Sequence, residues 1–361
     1  MEYIHIFHSE FYRHSFRQSG WRKKSLVFPP NFPRIFPVAN ATKDSSEATK
    51  RTICFGLSPL RYYFLDTYLS SENMVNRFNT SLPKPVMLFA MIAAGASFAQ
   101  NVPVAAQGLN EELVSVDLSG SKKQVGVYST KKGADKPTKL AVLLPGYPSV
   151  VRPVVEGGVM TGSKLNGNFL IRARRFLVDD SVASLLVDCQ SESGDYCASS
   201  YQASKQRQED VDKLIGEVRN RVPSITEVWL VGTSMGTISS SFMAAHNPTG
   251  YAGAIHTAAI TEPYARGSYR ELVGFDYKKA LIPQFFVHHS VDPCALTTYS
   301  GAKSITEKYG VPLITVSGGA GFQGAACEAF TEHGFRGKEK EVMNAITGII
   351  NSGKAKQLEI N

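Results

Sequence analysis

The sequence lacks several signatures that are typical of other protein classes. Its 361 residues contain no internal repeat, no glycine-rich motif for cradling phosphate and no interleaved pattern of basic and aromatic residues. These absences argue against a repeat protein, a phosphate-loop enzyme and a nucleic-acid-binding module. Cysteine is also scarce, with five residues in the whole chain.

Acidic residues are fewer than basic ones, 31 against 39, and the net charge is +8. The excess of positive charge lies mainly at the front of the chain. Residues 1–99 hold 12 basic and 6 acidic residues, which leaves 27 and 25 for residues 100–361. A nearly balanced charge gives no reason to expect nucleic acid or an anionic membrane as partner.

Residues 74–99 have the order of a secretory signal peptide. A polar segment that carries Arg77 and Lys84 precedes the apolar residues 86–99, which end in small residues at the positions that signal peptidase reads. The apolar core is shorter than the about 20 residues of a transmembrane helix. We therefore predict cleavage after Ala99, no stable membrane insertion afterwards, and a periplasmic or secreted mature protein. An uncleaved anchor is the alternative.

Residues 1–73 are rich in Phe, Tyr, Arg and Ser and show no sustained periodicity. Because a signal peptide should begin a chain, we interpret Met74 as the true start and residues 1–73 as a non-native or disordered N-terminal extension. A genuine extension is the alternative. Residues 100–361, about 260 residues, suit one α/β catalytic domain with a sizeable core.

The most informative stretch is Gly232-Thr233-Ser234-Met235-Gly236. It follows the apolar run 228–231 and precedes a helical stretch of small residues, so it predicts a strand, a sharp turn and a helix. Such a turn holds a serine hydroxyl exposed at the end of a sheet, beside a helix N-terminus. We predict Ser234 as a nucleophile. A glycine-rich surface turn is the alternative.

A serine nucleophile needs a histidine to take its proton and a carboxylate to orient that histidine. Asp292 follows the apolar run 285–289, so it is predicted in a loop just after a strand. His333 lies in a glycine-rich loop between the predicted last strand, 311–316, and a helix from about Arg336 to Ile350. The order Ser, Asp, His is the one that follows this kind of serine turn.

The remaining pattern predicts an α/β fold. Apolar strands that alternate with helices indicate a mostly parallel central sheet with helices on both faces. The predicted strands are 112–118 and 124–128 as a hairpin, then 139–144, 182–187 and 251–256, and the predicted helices are 168–178 and 202–222.

This arrangement resembles the α/β-hydrolase fold from about Leu113 to Ile350. Four stretches are similar to a group of exported bacterial α/β-hydrolases for which no substrate is settled. They are Asn168-Phe169-Leu170-Ile171-Arg172, residues 232–239, residues 288–294 and residues 327–335. The resemblance supports Ser234, Asp292 and His333 as a catalytic triad and does not indicate the substrate.

The resemblance also implies an oxyanion hole made of two backbone N–H groups. One is the N–H of Met235, directly after the serine. The other comes from the loop after an early strand, Pro145-Gly146-Tyr147, where Tyr147 is the expected donor. Proline stands where the family commonly has histidine. A plain turn is the alternative.

The predicted mature part keeps four cysteines, Cys189, Cys197, Cys294 and Cys327, an even number that suggests two disulfides in an exported chain. Three pairings are possible. In the resembled fold the acid and histidine loops are neighbours, which favours Cys294–Cys327 and therefore Cys189–Cys197. Free buried thiols are the alternative.

Other candidates receive less support. Asp188, at the end of a predicted strand, could compete with Asp292 as the acid. His288 and His289 are adjacent strand residues that point to opposite faces, so we expect no metal site there. The short stretch between Ile260 and Leu281 leaves room for a small lid or none.

The pattern favours a serine hydrolase without cofactor or metal, most simply a carboxylic-ester hydrolase that acts on a small molecule through an acyl-enzyme. An amidase or peptidase with the same triad is one alternative. A non-catalytic binding protein of the same fold is another.

Overall fold

The computed structural model describes residues 102–264 and 269–361. The predicted extension, residues 1–73, and the predicted signal peptide, residues 74–99, lie outside the described residues. In the part of the chain that is described, no helix has both the length and the apolar character needed to cross a membrane.

A nine-stranded sheet forms the centre of the domain, with the strand order β1-β2-β6-β3-β7-β8-β9-β10-β11. β2 is antiparallel to both of its neighbours, whereas the strands from β6 to β11 pair in parallel. A separate hairpin consists of β4 and β5. The strands are β1 Leu109–Asp117, β2 Lys123–Lys131, β3 Lys139–Leu144, β4 Val154–Glu156, β5 Val159–Gly162, β6 Val182–Val187, β7 Glu227–Thr233, β8 Gly253–Thr257, β9 Gln284–His289, β10 Leu313–Val316 and β11 Glu359–Ile360.

Helices cover both faces of this sheet, as the alternation of apolar strands and helices predicts. Along β3, Ala141 and Leu143 pack in the core that contains α6 (Glu339–Ser352), while Leu140 and Val142 pack in the core that contains α3 (Lys205–Arg221). Strands buried on both faces are continuous apolar runs, which is why β3 and β6 were recognisable in the sequence. The helices are α1 Phe169–Arg172, α2 Ser199–Gln202, α3 Lys205–Arg221, α4 Gly236–His246, α5 Tyr299–Tyr309 and α6 Glu339–Ser352.

Three predicted helices differ from the structure. The stretch 168–178 is one short helix, α1, followed by a 3-10 turn. The stretch 202–222 corresponds to α3, which begins later, at Lys205, because the side chain of Ser204 accepts a hydrogen bond from the Arg207 N–H; α2 shares only Gln202 with the predicted range. α6 begins at Glu339 instead of near Arg336, since Gly337 has a left-handed backbone, with φ of 82°, and Lys338 is the N-cap.

Some elements were not predicted at all. They are the β4–β5 hairpin, α5 and the two-residue strand β11. Between β8 and β9 the described residues form a single 3-10 turn, Tyr277–Lys279, which agrees with the expected small insertion.

Candidate active site

Ser234 lies at the turn between β7 and α4 and has a left-handed backbone, with φ of 50°. Its N–H donates to the Thr257 carbonyl oxygen at 3.0 Å. A Cβ on Gly236 would overlap the Leu144 carbonyl oxygen, and one on Gly232 would come within 2.7 Å of the Gly236 carbonyl oxygen. Both positions therefore require glycine, and the strained turn presents the Ser234 side chain above the sheet.

Asp292 and His333 are joined directly. Asp292 follows β9, and its Oδ2 accepts a hydrogen bond from His333 Nδ1 at 3.0 Å. Thr297 Oγ1 donates to the same Oδ2 at 2.9 Å and lies 3.0 Å from His333 Nδ1. Because Nδ1 carries the proton that faces the carboxylate, Nε2 is the unprotonated nitrogen of a neutral His333.

The Asp292 carboxylate is fully buried and is held by several donors. Its Oδ1 accepts from the Cys294 N–H at 2.9 Å, and His288 Nε2 lies 3.3 Å from Oδ2. Burial alone would raise the pKa of Asp292, but hydrogen bonds from His288 and His333 outweigh burial and hold this pKa well below its usual range. The carboxylate is therefore ionised at neutral pH.

Ser234 and His333 line the same cavity, which has a volume of about 850 Å³. Among the hydrogen bonds of the described residues, none joins the Ser234 hydroxyl to His333. A hydrogen bond between a serine and the histidine that takes its proton is often long before substrate binds. Its absence here is therefore compatible with Ser234 and His333 acting as a pair.

The two predicted oxyanion donors lie beside the serine. Neither the Met235 N–H nor the Tyr147 N–H donates to an acceptor within the described residues. A Cβ on Gly146 would be 3.0 Å from the Ser234 Cβ, so the loop that carries Tyr147 approaches Ser234 closely. Both N–H groups are thus available to a ligand at this end of the sheet.

Arg172 connects the histidine loop to the start of α1. Its guanidinium donates to the Gly334 carbonyl oxygen at 2.6 Å and to the Gly167 carbonyl oxygen at 2.7 Å. It also pairs with Glu339 and lies over the Phe330 ring. These contacts fix the backbone next to His333.

Asp188, the alternative acid, has a structural role. Its Oδ1 accepts from the Val151 N–H at 2.6 Å and from the Cys189 N–H at 2.7 Å, and its Oδ2 accepts from the Arg152 N–H and guanidinium. No hydrogen bond of the described residues joins it to a histidine. It holds the loop after β3 against the end of β6.

The two histidines at the end of β9, His288 and His289, also donate to backbone carbonyl oxygens. His288 Nε2 donates to the Thr297 carbonyl oxygen at 2.7 Å, and His289 Nε2 donates to the Gly318 carbonyl oxygen at 2.9 Å. Within residues 102–264 and 269–361, no three His, Cys, Asp or Glu side chains are arranged to hold a metal ion.

His256 is buried in β8 next to α4, with Nδ1 2.8 Å from Ser240 Oγ. Burial lowers its pKa to about 4. An unfolded chain protonates histidine near pH 6.5, so between about pH 6.5 and 4 the unfolded state binds more protons than the folded state. The free energy of unfolding should therefore fall as the pH is lowered through this window, by about 3 kcal/mol from this residue alone.

The check is urea unfolding at pH 7, 5.5 and 4 for the wild type and His256→Gln. We expect a smaller loss of unfolding free energy between pH 7 and 4 in the variant. Equal losses in the two proteins would contradict the burial argument.

Asp292 affects the free energy of unfolding in a different pH window. Because its pKa is lowered in the folded state, its contribution to stability is lost only as the pH falls below about 4.

Both disulfides have the pairing that the sequence favours. Cys189 is bonded to Cys197, with Cα atoms 5.7 Å apart, and Cys294 to Cys327, with Cα atoms 4.5 Å apart. The second bridge lines the cavity and joins the acid loop to the segment that leads into the histidine loop.

Removing the second bridge should lower both stability and activity. The bridge closes a loop with a sequence separation of 33, which corresponds to about 3–4 kcal/mol of unfolding free energy on a chain-entropy estimate. We expect Cys294→Ala/Cys327→Ala to lose activity at temperatures where its circular dichroism is still native, because the sheet does not depend on this bridge.

The matched control is Cys189→Ala/Cys197→Ala, whose bridge spans a separation of 8 and should contribute less loop entropy, about 2.6 kcal/mol. The measurements are thermal midpoints and hydrolysis rates. Full activity and full stability in the first double variant would show that the bridge does not hold the two loops.

Sequence reasoning missed three residues of the site. Thr297 has no local signal, because only folding brings it between Asp292 and His333. Tyr196 precedes a disulfide cysteine and lines the cavity. Asn168 does carry a signal, since an asparagine before an apolar helical run is a typical N-cap, and its Oδ1 accepts from the Leu170 N–H.

Comparisons with known proteins give distant structural neighbours only. No protein-family model matches the chain, and a search of curated proteins finds no match. Est1E from Butyrivibrio proteoclasticus is 13% identical, with a TM-score of 0.46 over 67% of this chain and 98% of its own. A cold-adapted esterase from an Arctic intertidal metagenomic library is also 13% identical, with a TM-score of 0.44 over 67% and 95%.

A third structure is a putative dipeptidyl aminopeptidase IV from Bacteroides ovatus, 11% identical, with a TM-score of 0.44 over 67% of this chain and 36% of its own. The chain's own features define its architecture. The mostly parallel sheet, the sharp turn at Ser234 after β7, Asp292 after β9 and His333 after β10 have the order of an α/β-hydrolase fold.

Proposed function

We propose that this chain is a serine hydrolase that cleaves carboxylic esters through an acyl-enzyme. The observation that carries the proposal is the buried, ionised Asp292 bonded to His333 Nδ1, in a cavity that also exposes Ser234 on a strained turn. That combination supplies a nucleophile, a base in the required tautomer and a group that stabilises the resulting imidazolium.

In the proposed first step, Ser234 Oγ attacks the ester carbonyl carbon while its proton moves to His333 Nε2. The carbonyl oxygen becomes an oxyanion, and the N–H groups of Met235 and Tyr147 donate to it. The carbon–oxygen bond to the alcohol then breaks, and the leaving oxygen takes the proton from Nε2. Asp292 remains ionised throughout and stabilises the cationic His333.

In the second step, water replaces the alcohol. His333 Nε2 takes a proton from the water as it attacks the acyl-enzyme, and returns that proton to Ser234 Oγ when the acid leaves. The chain's own residues supply every group that these steps need, so the proposal requires no cofactor.

Two other functions would use the same site. An amidase or peptidase would use the same groups, with an amine as the leaving group. A non-catalytic binding protein would keep the cavity without turnover. The two disulfides fit an oxidising environment, and we propose a periplasmic or secreted location for all three cases.

A fluorophosphonate probe followed by peptide mapping separates a hydrolase from a binding protein. We expect one adduct, on the peptide that contains Ser234. A panel of acetate, butyrate and benzoate esters with the matching amides then separates the two hydrolase classes, and we expect turnover of esters to exceed that of amides. A protein that neither reacts with the probe nor turns over any substrate would contradict the proposal.

A further inference from the structure

Four tyrosines line the cavity that contains Ser234, namely Tyr147, Tyr196, Tyr264 and Tyr269, and we call them the tyrosine wall. The ring centroids of Tyr147 and Tyr196 are 5.9 Å apart, and those of Tyr264 and Tyr269 are 6.1 Å apart. These separations lie within the range for interacting aromatic rings, so the tyrosine wall consists of two interacting ring pairs.

Three of these rings are open to solvent to a degree that is unusual for large aromatic side chains. Tyr147 is 64%, Tyr264 42% and Tyr196 38% exposed. Exposed aromatic rings gathered at a cavity mark a binding surface, because each retains ring area that a ligand can cover.

The charge of the lining restricts the ligand further. Among the described residues that line the cavity there is no lysine or arginine, and Glu328 contributes a carboxylate at its edge. Burial, followed by the neighbouring Tyr196 hydroxyl, raises the pKa of Tyr269, so its phenol stays neutral. Away from the N–H groups beside Ser234, the lining therefore offers aromatic faces and neutral hydroxyls, and among the described residues it has no cationic side chain to pair with a charged acid group of a ligand.

The cavity volume of about 850 Å³ is that of a site for a drug-sized molecule, larger than an acetyl group requires. We propose that the tyrosine wall binds the aromatic ring of an uncharged aromatic ester and stacks against it while Ser234 attacks the ester carbonyl. This inference rests on the proposed function and names the substrate class of that same site.

The test compares esters of equal size that differ in ring character, methyl 3-phenylpropanoate with methyl 3-cyclohexylpropanoate, and benzyl acetate with cyclohexylmethyl acetate. The cyclohexyl members bury at least as much apolar area, so area alone predicts no preference for the phenyl members. For the wild type we expect kcat/KM to be about tenfold higher for the phenyl member of at least one pair.

Variants at Tyr196 separate the ring from the hydroxyl. Tyr196→Leu removes the ring and should lower the phenyl-to-cyclohexyl ratio, whereas Tyr196→Phe keeps the ring and should keep most of that ratio. Thermal midpoints of both variants check folding. A wild-type ratio near one in both pairs, or a ratio that survives Tyr196→Leu, would overturn the inference.

A charged analogue tests the electrostatic part. Methyl 3-(4-carboxyphenyl)propanoate should react at least about tenfold more slowly than its 4-carboxamide counterpart. As a readout without turnover, 3-phenylpropanol should slow fluorophosphonate labelling more than 3-cyclohexylpropanol does. Failure of the proposed function is distinguishable, because then no ester is hydrolysed and no label attaches, whereas failure of this inference leaves labelling intact without ring preference.

A different observation concerns Asn168. Its Oδ1 accepts from the Leu170 N–H at 3.1 Å as the N-cap of α1, which fixes the orientation of the amide. Its Nδ2 donates to no acceptor within the described residues and lies 3.5 Å from the point where a Cβ on Gly146 would be. That point is 3.0 Å from the Ser234 Cβ.

The amide of Asn168 therefore presents unused N–H groups beside the nucleophile and beside the loop of Tyr147. We infer that Asn168 Nδ2 is a third donor to the oxyanion, together with the N–H groups of Met235 and Tyr147. A side-chain donor that is oriented before the substrate arrives needs no reorganisation during the reaction.

Asn168→Ser tests this role, because serine retains the N-cap and lacks the amide. We expect kcat to fall about 10²-fold with KM little changed, and the affinity for phenylboronic acid, an analogue of the tetrahedral intermediate, to fall in parallel. The thermal midpoint should stay near that of the wild type.

The matched control is Asn166→Ser, an exposed asparagine of the same loop, which should keep the wild-type kcat. Asn168→Asp also keeps the cap, but it places a carboxylate oxygen where the donor was, so its kcat should be lower than that of Asn168→Ser. If Asn168→Ser keeps kcat and boronate affinity within about threefold of the wild type, Asn168 is a helix cap and nothing more.

Discussion

Replacing Ser234 with alanine should reduce kcat for ester hydrolysis by a factor on the order of 10⁵–10⁶. In the proposed mechanism the variant lacks the atom that would form the acyl-enzyme, while the proposed oxyanion donors and the cavity remain. KM should change much less than kcat, because the surfaces that contact the substrate are unchanged. Fluorophosphonate labelling should disappear together with turnover.

The control is Ser290→Ala. Ser290 follows β9, and its side chain makes no hydrogen bond within the described residues. This variant should keep full activity and full labelling. If Ser234→Ala were still labelled to the wild-type extent, the nucleophile would be another residue and the proposed site would be wrong.

Asp292→Asn should lower kcat by a factor on the order of 10⁴. An asparagine side chain can donate its amide hydrogens to His333 Nδ1, which moves the ring proton to Nε2 and removes the acceptor for the Ser234 proton. The carboxylate also accepts from Thr297 Oγ1 and from the Cys294 N–H, so the variant leaves part of this hydrogen-bond network unmatched.

Asp188→Asn is the matched control for Asp292→Asn. Asp188 is another buried carboxylate at a strand end, and it accepts from backbone N–H groups and from Arg152. Its replacement should lower the thermal midpoint and leave kcat per labelled active site near the wild-type value. If kcat fell as much in Asp188→Asn as in Asp292→Asn, the assignment of Asp292 as the acid would be contradicted.

The sequence was informative where structure is determined locally. Strands β3 and β6 match their predicted limits, because a strand buried on both faces is a continuous apolar run. The serine turn was recognisable, since close packing against the end of β3 and within the turn permits only glycine at Gly232 and Gly236.

The sequence was less informative where distant segments meet. Thr297 contacts both Asp292 and His333 only because the fold brings two loops together. The tyrosine wall is assembled from the loop after β3, the loop after β6 and the connection between β8 and β9. No local sequence pattern in any of these segments indicates that they meet in the fold. The predicted start of α6, near Arg336, was also too early, because Gly337 has a left-handed backbone that an α-helix cannot contain.

The bridge between Cys294 and Cys327 has a consequence for how the protein is produced. Because this covalent link lines the cavity and joins the loop of Asp292 to the segment that leads to His333, we expect turnover per molecule to depend on oxidation during biosynthesis. If residues 100–361 are produced without the leader, in a reducing or in an oxidising compartment, we expect the two products to share one mass, apart from four hydrogens, and to differ in specific activity. A thiol titration of each batch is therefore a measure of its active fraction.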